Sequence, residues 1–279
     1  MRFEIAGRPT LVSAAPRRSA PAVVFLHGTG GAIDWIESEV GLLAWGRSLG
    51  VTVAYPQGLP PDPAKAPGFL SNPYRWNDGS TRPGDPLHST TDDVNVLDGL
   101  FDRLVTDFHA DPARLYLIGF SNGAAMTFRF TAEGRTPLAG IAPIAGHCWV
   151  TPRLQTRPLR TIALLGDRDP LIPVAGGTVV LPWGQRVVER PPIRHSWGKW
   201  AIANGGDPHP IESTDGVCRT LQYPQPYGEF TAMIVPGLGH HWPGGAGQLN
   251  PRLGGPKESP IRANDVLAAF FDLGHTLAG

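Results

Sequence analysis

Leu115-Tyr116-Leu117-Ile118-Gly119-Phe120-Ser121-Asn122-Gly123-Ala124-Ala125-Met126 decides the architecture of this chain. The apolar run Leu115 to Ile118 reads as a buried strand. Ala124 to Phe130 reads as a helix of small and apolar residues. Between them lies Gly119-Phe120-Ser121-Asn122-Gly123, a G-x-S-x-G motif. A strand, a sharp turn and a helix in that order hold the serine hydroxyl out at the C-terminal edge of a sheet. The serine takes a strained backbone conformation, and the flanking glycines, lacking Cβ atoms, let helix and strand pack closely. The N–H groups after the serine point at the oxygen of a bound carbonyl. The motif also arises by chance in a chain with 35 glycines, so an acid, a base and an oxyanion turn must be found elsewhere.

Apolar runs recur on both sides of this segment. Residues 22–26, 51–55, 141–144, 161–165 and 230–235 read as short buried strands. A helix is expected over 36–49 with Gly50 as its C-cap. Val94, Leu97, Leu100, Phe101, Leu104 and Phe108 recur at spacings of three and four, which makes one apolar helical face. Asp92 and Asp93 stand at the start of that helix. A carboxylate pair can hold a metal or work as a glycosidase pair, but here helix capping is the stronger reading. A hairpin is expected to set 179–181 against 186–188, and Asn264 to cap a closing helix.

Alternating strands and helices imply an α/β fold with a mainly parallel central sheet and helices on both faces. No internal repeat or linker divides the chain, so residues 1–279 are expected to form one domain. The long segments 56–90 and 176–200 are expected to cover the active-site edge.

In such a sheet, ligand groups gather past the C-terminal ends of the strands. Gly166-Asp167-Arg168-Asp169 follows the strand at 161–165, and Gly239-His240-His241-Trp242 follows the one at 230–235. His27-Gly28-Thr29-Gly30-Gly31 follows the strand at 22–26. An acid, a histidine and a glycine-rich turn therefore share Ser121's edge. Serine needs an imidazole to take its proton, and the imidazole needs a carboxylate to fix its tautomer. Ser121 is assigned as nucleophile, His240 as base and Asp169 as acid, with His241 and Asp167 as competitors. The chain order Ser, Asp, His is that of α/β hydrolases.

The turn at 28–31 lacks the third glycine of a dinucleotide loop and the Lys-Ser/Thr pair of a phosphate loop. It suits an oxyanion turn, with the backbone N–H groups of Thr29 and Asn122 as donors, and His27 as a structural hydrogen-bonder. Trp76, Trp149, Trp183 and Trp242 are candidate pocket walls, with core packing the equal alternative. His88, His109, His147, His195, His209 and His275 have no comparable context and read as surface or core residues.

The chain has 279 residues, of which 41% are hydrophobic, enough for a sizeable core. Lys plus Arg and Asp plus Glu number 24 each, and no basic block stands out, which argues against nucleic acid as a partner. No stretch has the length of a membrane span. No C-x-x-C pair or zinc-spaced His/Cys cluster occurs, so neither metal nor cofactor is expected. Met1 to Gly7 has no apolar leader core, which reads as a cytoplasmic protein. Cys148 and Cys218 could form one disulfide or remain two buried thiols. The sequence carries no mark of oligomeric state.

Several segments together resemble the polyhydroxybutyrate depolymerase and feruloyl esterase family of α/β hydrolases. They are His27-Gly28-Thr29-Gly30-Gly31, Trp76-Asn77, Asp92-Asp93-Val94, Asp111 to Tyr116, Gly119 to Met126 and Gly239-His240-His241-Trp242-Pro243-Gly244-Gly245. The resemblance runs from about residue 20 to 272. It implies Ser121, Asp169 and His240 as the triad, and hydrolysis of carboxylic esters without a cofactor. The implied substrates are small or oligomeric: hydroxycinnamoyl or acetyl esters of plant polysaccharide, or short hydroxyalkanoate esters. The family often has Cys in place of Thr29 and a second Gly in place of Ala124. Many members are secreted, which makes secretion the alternative to the cytoplasm. A serine peptidase or amidase, or a non-catalytic ligand-binding relative, are the alternative functions.

Overall fold

The structure is a computed structural model that describes residues 1–80, 91–153, 157–183 and 185–274. Its frame is a ten-stranded sheet in the order β1-β2-β4-β3-β5-β6-β7-β12-β11-β10. These strands are β1 (Arg2–Ile5), β2 (Arg8–Ser13), β3 (Ala20–Leu26), β4 (Thr52–Pro56), β5 (Ala110–Phe120), β6 (Gly140–Ile144), β7 (Arg160–Gly166), β10 (Ile211–Thr214), β11 (Arg219–Tyr223) and β12 (Glu229–Val235). The strands from β4 through β12 in that order run parallel, and the outer pairs on each side are antiparallel. A separate hairpin pairs β8 (Gly177–Val180) with β9 (Val187–Arg190), with Val180 opposite Val187.

The helices are α1 (Ile33–Val40), α2 (Leu42–Leu49), α3 (Asp93–Thr106), α4 (Asn122–Glu133), α5 (Ile193–Ala203), α6 (Pro251–Gly254) and α7 (Ala263–Phe270). From β3 the chain steps one way to β4 through α1 and α2, then back past β3 to β5 through α3. Right-handed crossovers in opposite directions place α1 and α2 on one face and α3 on the other. The Trp45 indole donates to the Asn264 carbonyl, and the Asn264 amide donates to the Val40 carbonyl, which ties α7 to the first face. With both faces covered, every residue of β3, β4 and β6 is buried. Continuous apolar strands are what a two-sided parallel sheet requires.

The segment expected as one helix over 36–49 is two, because Gly41 sits in the left-handed region with φ 65° and its N–H caps Glu37. Gly50 closes the second helix as expected, with φ 68° and its N–H on the Gly46 carbonyl. Asn264 does not cap the closing helix. Arg262 holds that position, and the Asn264 side chain accepts from the Trp242 indole at 2.9 Å instead. Asp92 caps α3 through the Asn95 N–H. Asp93 does different work: it forms a buried ion pair with Arg8 and accepts the Asn77 N–H at 2.6 Å. The pair joins β2 to the start of α3. Both cysteines are free thiols, in separate apolar clusters. No helix among the described residues is long and apolar enough to cross a membrane.

Candidate active site

The reversal between β4 and β5 makes the gap beside β3 a topological switch point, where open α/β sheets bind ligands. Leu26 of β3 pairs with Gly119 of β5, and Phe120 pairs with Ile144 of β6, so these strand ends lie level. Ser121 follows directly, with φ 57° and ψ −116°. A serine pays strain in that region, which persists only where its surroundings fix it. Here its N–H donates to the Ile144 carbonyl at 2.8 Å and its carbonyl accepts from Ala125 at 3.1 Å. The motif glycines are there for space. A Cβ on Gly119 would stand 2.2 Å from the Gly123 carbonyl oxygen, and one on Gly123 would stand 2.0 Å from that of Leu26.

The later strand ends supply two partners. His240 Nε2 lies 2.9 Å from Ser121 Oγ, and His240 Nδ1 lies 2.7 Å from Asp169 Oδ2. The other Asp169 oxygen accepts the N–H groups of Leu171 and Ile172, each at 2.8 Å. This carboxylate is completely buried, so its orientation is set by three donors. The Phe120 ring packs 5.0 Å from the imidazole and limits its swing. Asp167 points elsewhere: it is exposed and accepts the Gly237 N–H at 2.7 Å, fastening the two loops. His241 turns away from the serine, with Nε2 3.1 Å from the Gly255 carbonyl, and burial lowers its pKa.

The glycine-rich turn lies against the serine: a Cβ on Gly28 would sit 3.0 Å from Ser121 Cβ. Asn122 is the first residue of α4, so its N–H has no intrahelical acceptor. The turn is held by His27, which is buried. Its Nδ1 is 2.7 Å from the Gly28 carbonyl, and its Nε2 accepts the Gly58 N–H at 2.9 Å. Those partners place the proton on Nδ1. Burial lowers the His27 pKa to about 4, so the ring is neutral at pH 7. The unfolded chain takes up this proton near pH 6.5 while the folded one does not. Stability from this group is therefore full above pH 6.5 and declines as pH falls toward 4. Between pH 7 and pH 5 it should account for a loss of about 2 kcal/mol. Urea unfolding of wild type and His27→Gln at both pH values checks this; the variant's loss should be smaller by that amount.

Two hollows flank Ser121. One, of about 520 Å³, is walled by Ile36, Val40, Phe69, Phe120, Trp242 and Leu253, and His240 opens into it. The other, of about 340 Å³, has a mixed lining; Arg75, Asp78, His147, Trp149, Arg186 and Arg190 are on its walls. Thr29 and Trp183 border both, and the Trp183 indole donates to the Phe69 carbonyl at 2.8 Å. The β8–β9 hairpin and the segment before residue 80 thus meet over the serine; residues 81–90 of the expected cover lie outside the described residues. Trp149, Trp183 and Trp242 border the hollows. Trp76 does not: its indole donates to the His27 carbonyl at 3.0 Å, and its backbone N–H donates to the Asn122 side-chain oxygen at 2.7 Å. Trp76 is a brace between turn and elbow, buried under Arg8. His147, which sequence reading left among surface or core residues, is buried and borders the second hollow. Its one signal was its place past the end of a strand, at 141–144. Among the described residues no group of His, Cys, Asp and Glu could hold a metal ion.

A mainly parallel sheet with a serine elbow at its switch point, facing an acid and a histidine from later strand ends, is the α/β-hydrolase fold. No family model matches the chain. The protein named "Putative esterase NocK", from Nocardia uniformis subsp. tsuyamanensis, is 27% identical over 267 residues, covering 90% of this chain and 74% of its own length. Poly(3-hydroxyalkanoate) depolymerase C of Paucimonas lemoignei is 32% identical over 129 residues, covering 46% of this chain and 28% of its own. Acetyl xylan esterase from Aspergillus awamori superposes with a TM-score of 0.60 at 15% identity, over 95% of this chain and 94% of that one. Native pOPH gives 0.57 at 18% identity, over 90% and 81%. At those identities the structures establish the fold. The resemblance read from the sequence stands: the chain is similar to proteins named as an esterase, a poly(3-hydroxyalkanoate) depolymerase and an acetyl xylan esterase.

Proposed function

We propose that the protein is a serine esterase in which Ser121, His240 and Asp169 form the catalytic triad. The observation that carries this reading is the unbroken hydrogen-bonded chain from Asp169 through His240 to Ser121. His240 takes the proton as Ser121 Oγ attacks the ester carbonyl. The carbonyl oxygen becomes an oxyanion beside the N–H groups of Thr29 and Asn122, at the positive end of α4. Asp169 stabilises the imidazolium that forms. His240 then gives its proton to the departing alcohol, leaving an acyl group on Ser121. A water enters, His240 removes its proton, and the acid is released. The substrates are acetyl or short hydroxyalkanoate esters, in line with the names acetyl xylan esterase and poly(3-hydroxyalkanoate) depolymerase C, or hydroxycinnamoyl esters, on the sequence resemblance alone.

Covalent turnover has a kinetic mark. With p-nitrophenyl butyrate, nitrophenolate should appear in a burst about equal to the enzyme concentration whenever deacylation is the slower step. Mass spectrometry of enzyme quenched in acid during turnover should find one butyryl group, on the peptide carrying Ser121. An adduct on any other residue would sink the assignment.

A further inference from the structure

The larger of the two hollows has walls that select by chemistry. Ile36, Val40, Phe69, Trp242, Leu249 and Leu253 give its 520 Å³ a mainly apolar lining. Trp35 and Phe69 border it at 37% exposure each, so their rings keep free surface for a ligand. The Phe69 ring lies against the oxyanion turn because Gly30 has no side chain: a Cβ there would meet Phe69 Cδ2 at 2.4 Å. Another wall is fastened to α1. The Glu39 carboxylate accepts the N–H groups of Gly247 and Gln248, and the Glu39 carbonyl accepts that of Ala246. These bonds fix the segment that leads to Leu249 and Leu253.

The polar side chains on these walls are largely engaged. Gln248 donates to the Ser38 hydroxyl, and the Asn250 side chain accepts the Arg252 N–H. His241 donates to the Gly255 carbonyl, and its other ring nitrogen is sealed from solvent. Among the described residues lining the hollow, Glu39 is the one acid, and there is no Lys or Arg. An anion finds no counter-charge here. A hydroxyl-rich group would give up water and meet few free partners, whereas apolar surface gains by entering.

Reaction geometry says which end of the ester enters. The carbon under attack carries Ser121 Oγ, the oxyanion, the leaving oxygen and the acyl chain. His240 Nε2 takes its proton from Oγ and must deliver it to the leaving oxygen, so that oxygen lies on the imidazole side of the serine. His240, and the Phe120 ring 5.0 Å from it, border the apolar hollow and not the other. The second hollow opens from the flank where Asn122, Ala125 and Gly146 adjoin the serine. The alcohol therefore enters the apolar hollow, and the acyl chain is left to the second.

We propose that the apolar hollow is the alcohol subsite and that it selects esters of bulky, uncharged, apolar alcohols, with Phe69 and Leu253 as specificity residues. This rests on the serine esterase reading above and narrows it. The Ser121–acyl bond forms, the bond from the acyl carbon to the alcohol oxygen breaks, and the alcohol leaves with the proton from His240. Water then releases the short acid.

The test uses two isomers, 2-phenylethyl acetate and methyl 3-phenylpropanoate, which carry the same ring on opposite sides of the ester. Each is compared with its parent lacking the ring, ethyl acetate or methyl propanoate, by following acid release in a pH-stat. On the alcohol side the ring should raise kcat/KM by about 10- to 100-fold, the gain from burying one phenyl group. On the acyl side it should change kcat/KM by about threefold or less. Phe69→Ala should lower the alcohol-side gain by about threefold or more, and Leu253→Glu, which places a charge in the hollow, by about tenfold or more. Both side chains are partly exposed, so the fold should tolerate the changes. 3,3-Dimethylbutyl acetate should be favoured over acetylcholine, its charged isostere, by about tenfold or more. A gain equal on both sides, or confined to the acyl side, overturns the proposal. So does an alcohol-side gain unmoved in both variants, or a preference for acetylcholine. Turnover of p-nitrophenyl butyrate and ethyl acetate without an alcohol-side gain leaves the esterase reading standing. Failure to turn over any of these esters removes that reading and this inference together.

Discussion

Ser121→Ala should lower kcat for p-nitrophenyl butyrate by about 10⁶-fold while the fold persists. The size follows from how the groups are linked. Ser121 Oγ has one protein partner on this path, His240 Nε2 at 2.9 Å, and no other hydroxyl stands in its place at the elbow. Without Oγ the base has no nucleophile to activate, and Asp169 orients an idle imidazole. What remains is the oxyanion turn and the two hollows, which by themselves sustain about 10³- to 10⁴-fold over water in serine hydrolases. The fold should survive because the side chain fills no core space; Ser121 borders both hollows. The backbone that makes the elbow is fixed by the Ile144 carbonyl and by the close approach of Gly119 and Gly123, and alanine alters neither. The variant should melt within a few degrees of wild type by circular dichroism. Activity within tenfold of wild type in a folded Ser121→Ala protein would exclude this serine as the nucleophile.

Much of this arrangement was legible in the sequence because it depends on local rules. Buried parallel strands must be apolar throughout, so 22–26, 51–55 and 161–165 stand out against polar surroundings. The elbow is legible because no side chain fits where Gly119 and Gly123 stand. The edge strands were not seen. β1 alternates exposed and half-buried residues and β10 is exposed throughout, so neither carries a hydrophobic signal. The break between α1 and α2 was missed because one glycine in a helical pattern does not announce a left-handed turn. The particular contacts of Trp76 and His147 were not legible for a different reason. Their roles depend on partners far along the chain, Asn122 for the first and Ser196 for the second, and no local pattern encodes such distances.

Asp169→Asn should lower kcat by about 10⁴-fold, whereas Asp167→Asn should change it by about twofold or less. Both residues lie in the loop after β7, and chain position alone does not separate them. Their hydrogen bonds do. Asp169 Oδ1 accepts two backbone N–H groups, from Leu171 and Ile172. In the asparagine variant those donors require the amide oxygen on their side, because an NH₂ group facing two N–H groups would leave all of them unsatisfied. The NH₂ is thereby turned toward His240 Nδ1. There it donates, and the imidazole responds by carrying its proton on Nε2. That nitrogen then has no lone pair for the Ser121 proton. The substitution preserves volume and packing and reverses only the tautomer, so the loss should fall on kcat while KM for p-nitrophenyl butyrate stays within about threefold, as expected when an interaction made in the transition state is removed. Asp167 offers a contrast within the same turn. Its carboxylate is exposed and accepts the Gly237 N–H, which an amide oxygen can do equally well. Parallel kinetics of the two variants decide between them. If Asp167→Asn loses orders of magnitude and Asp169→Asn does not, the acid that orients His240 has been assigned to the wrong residue.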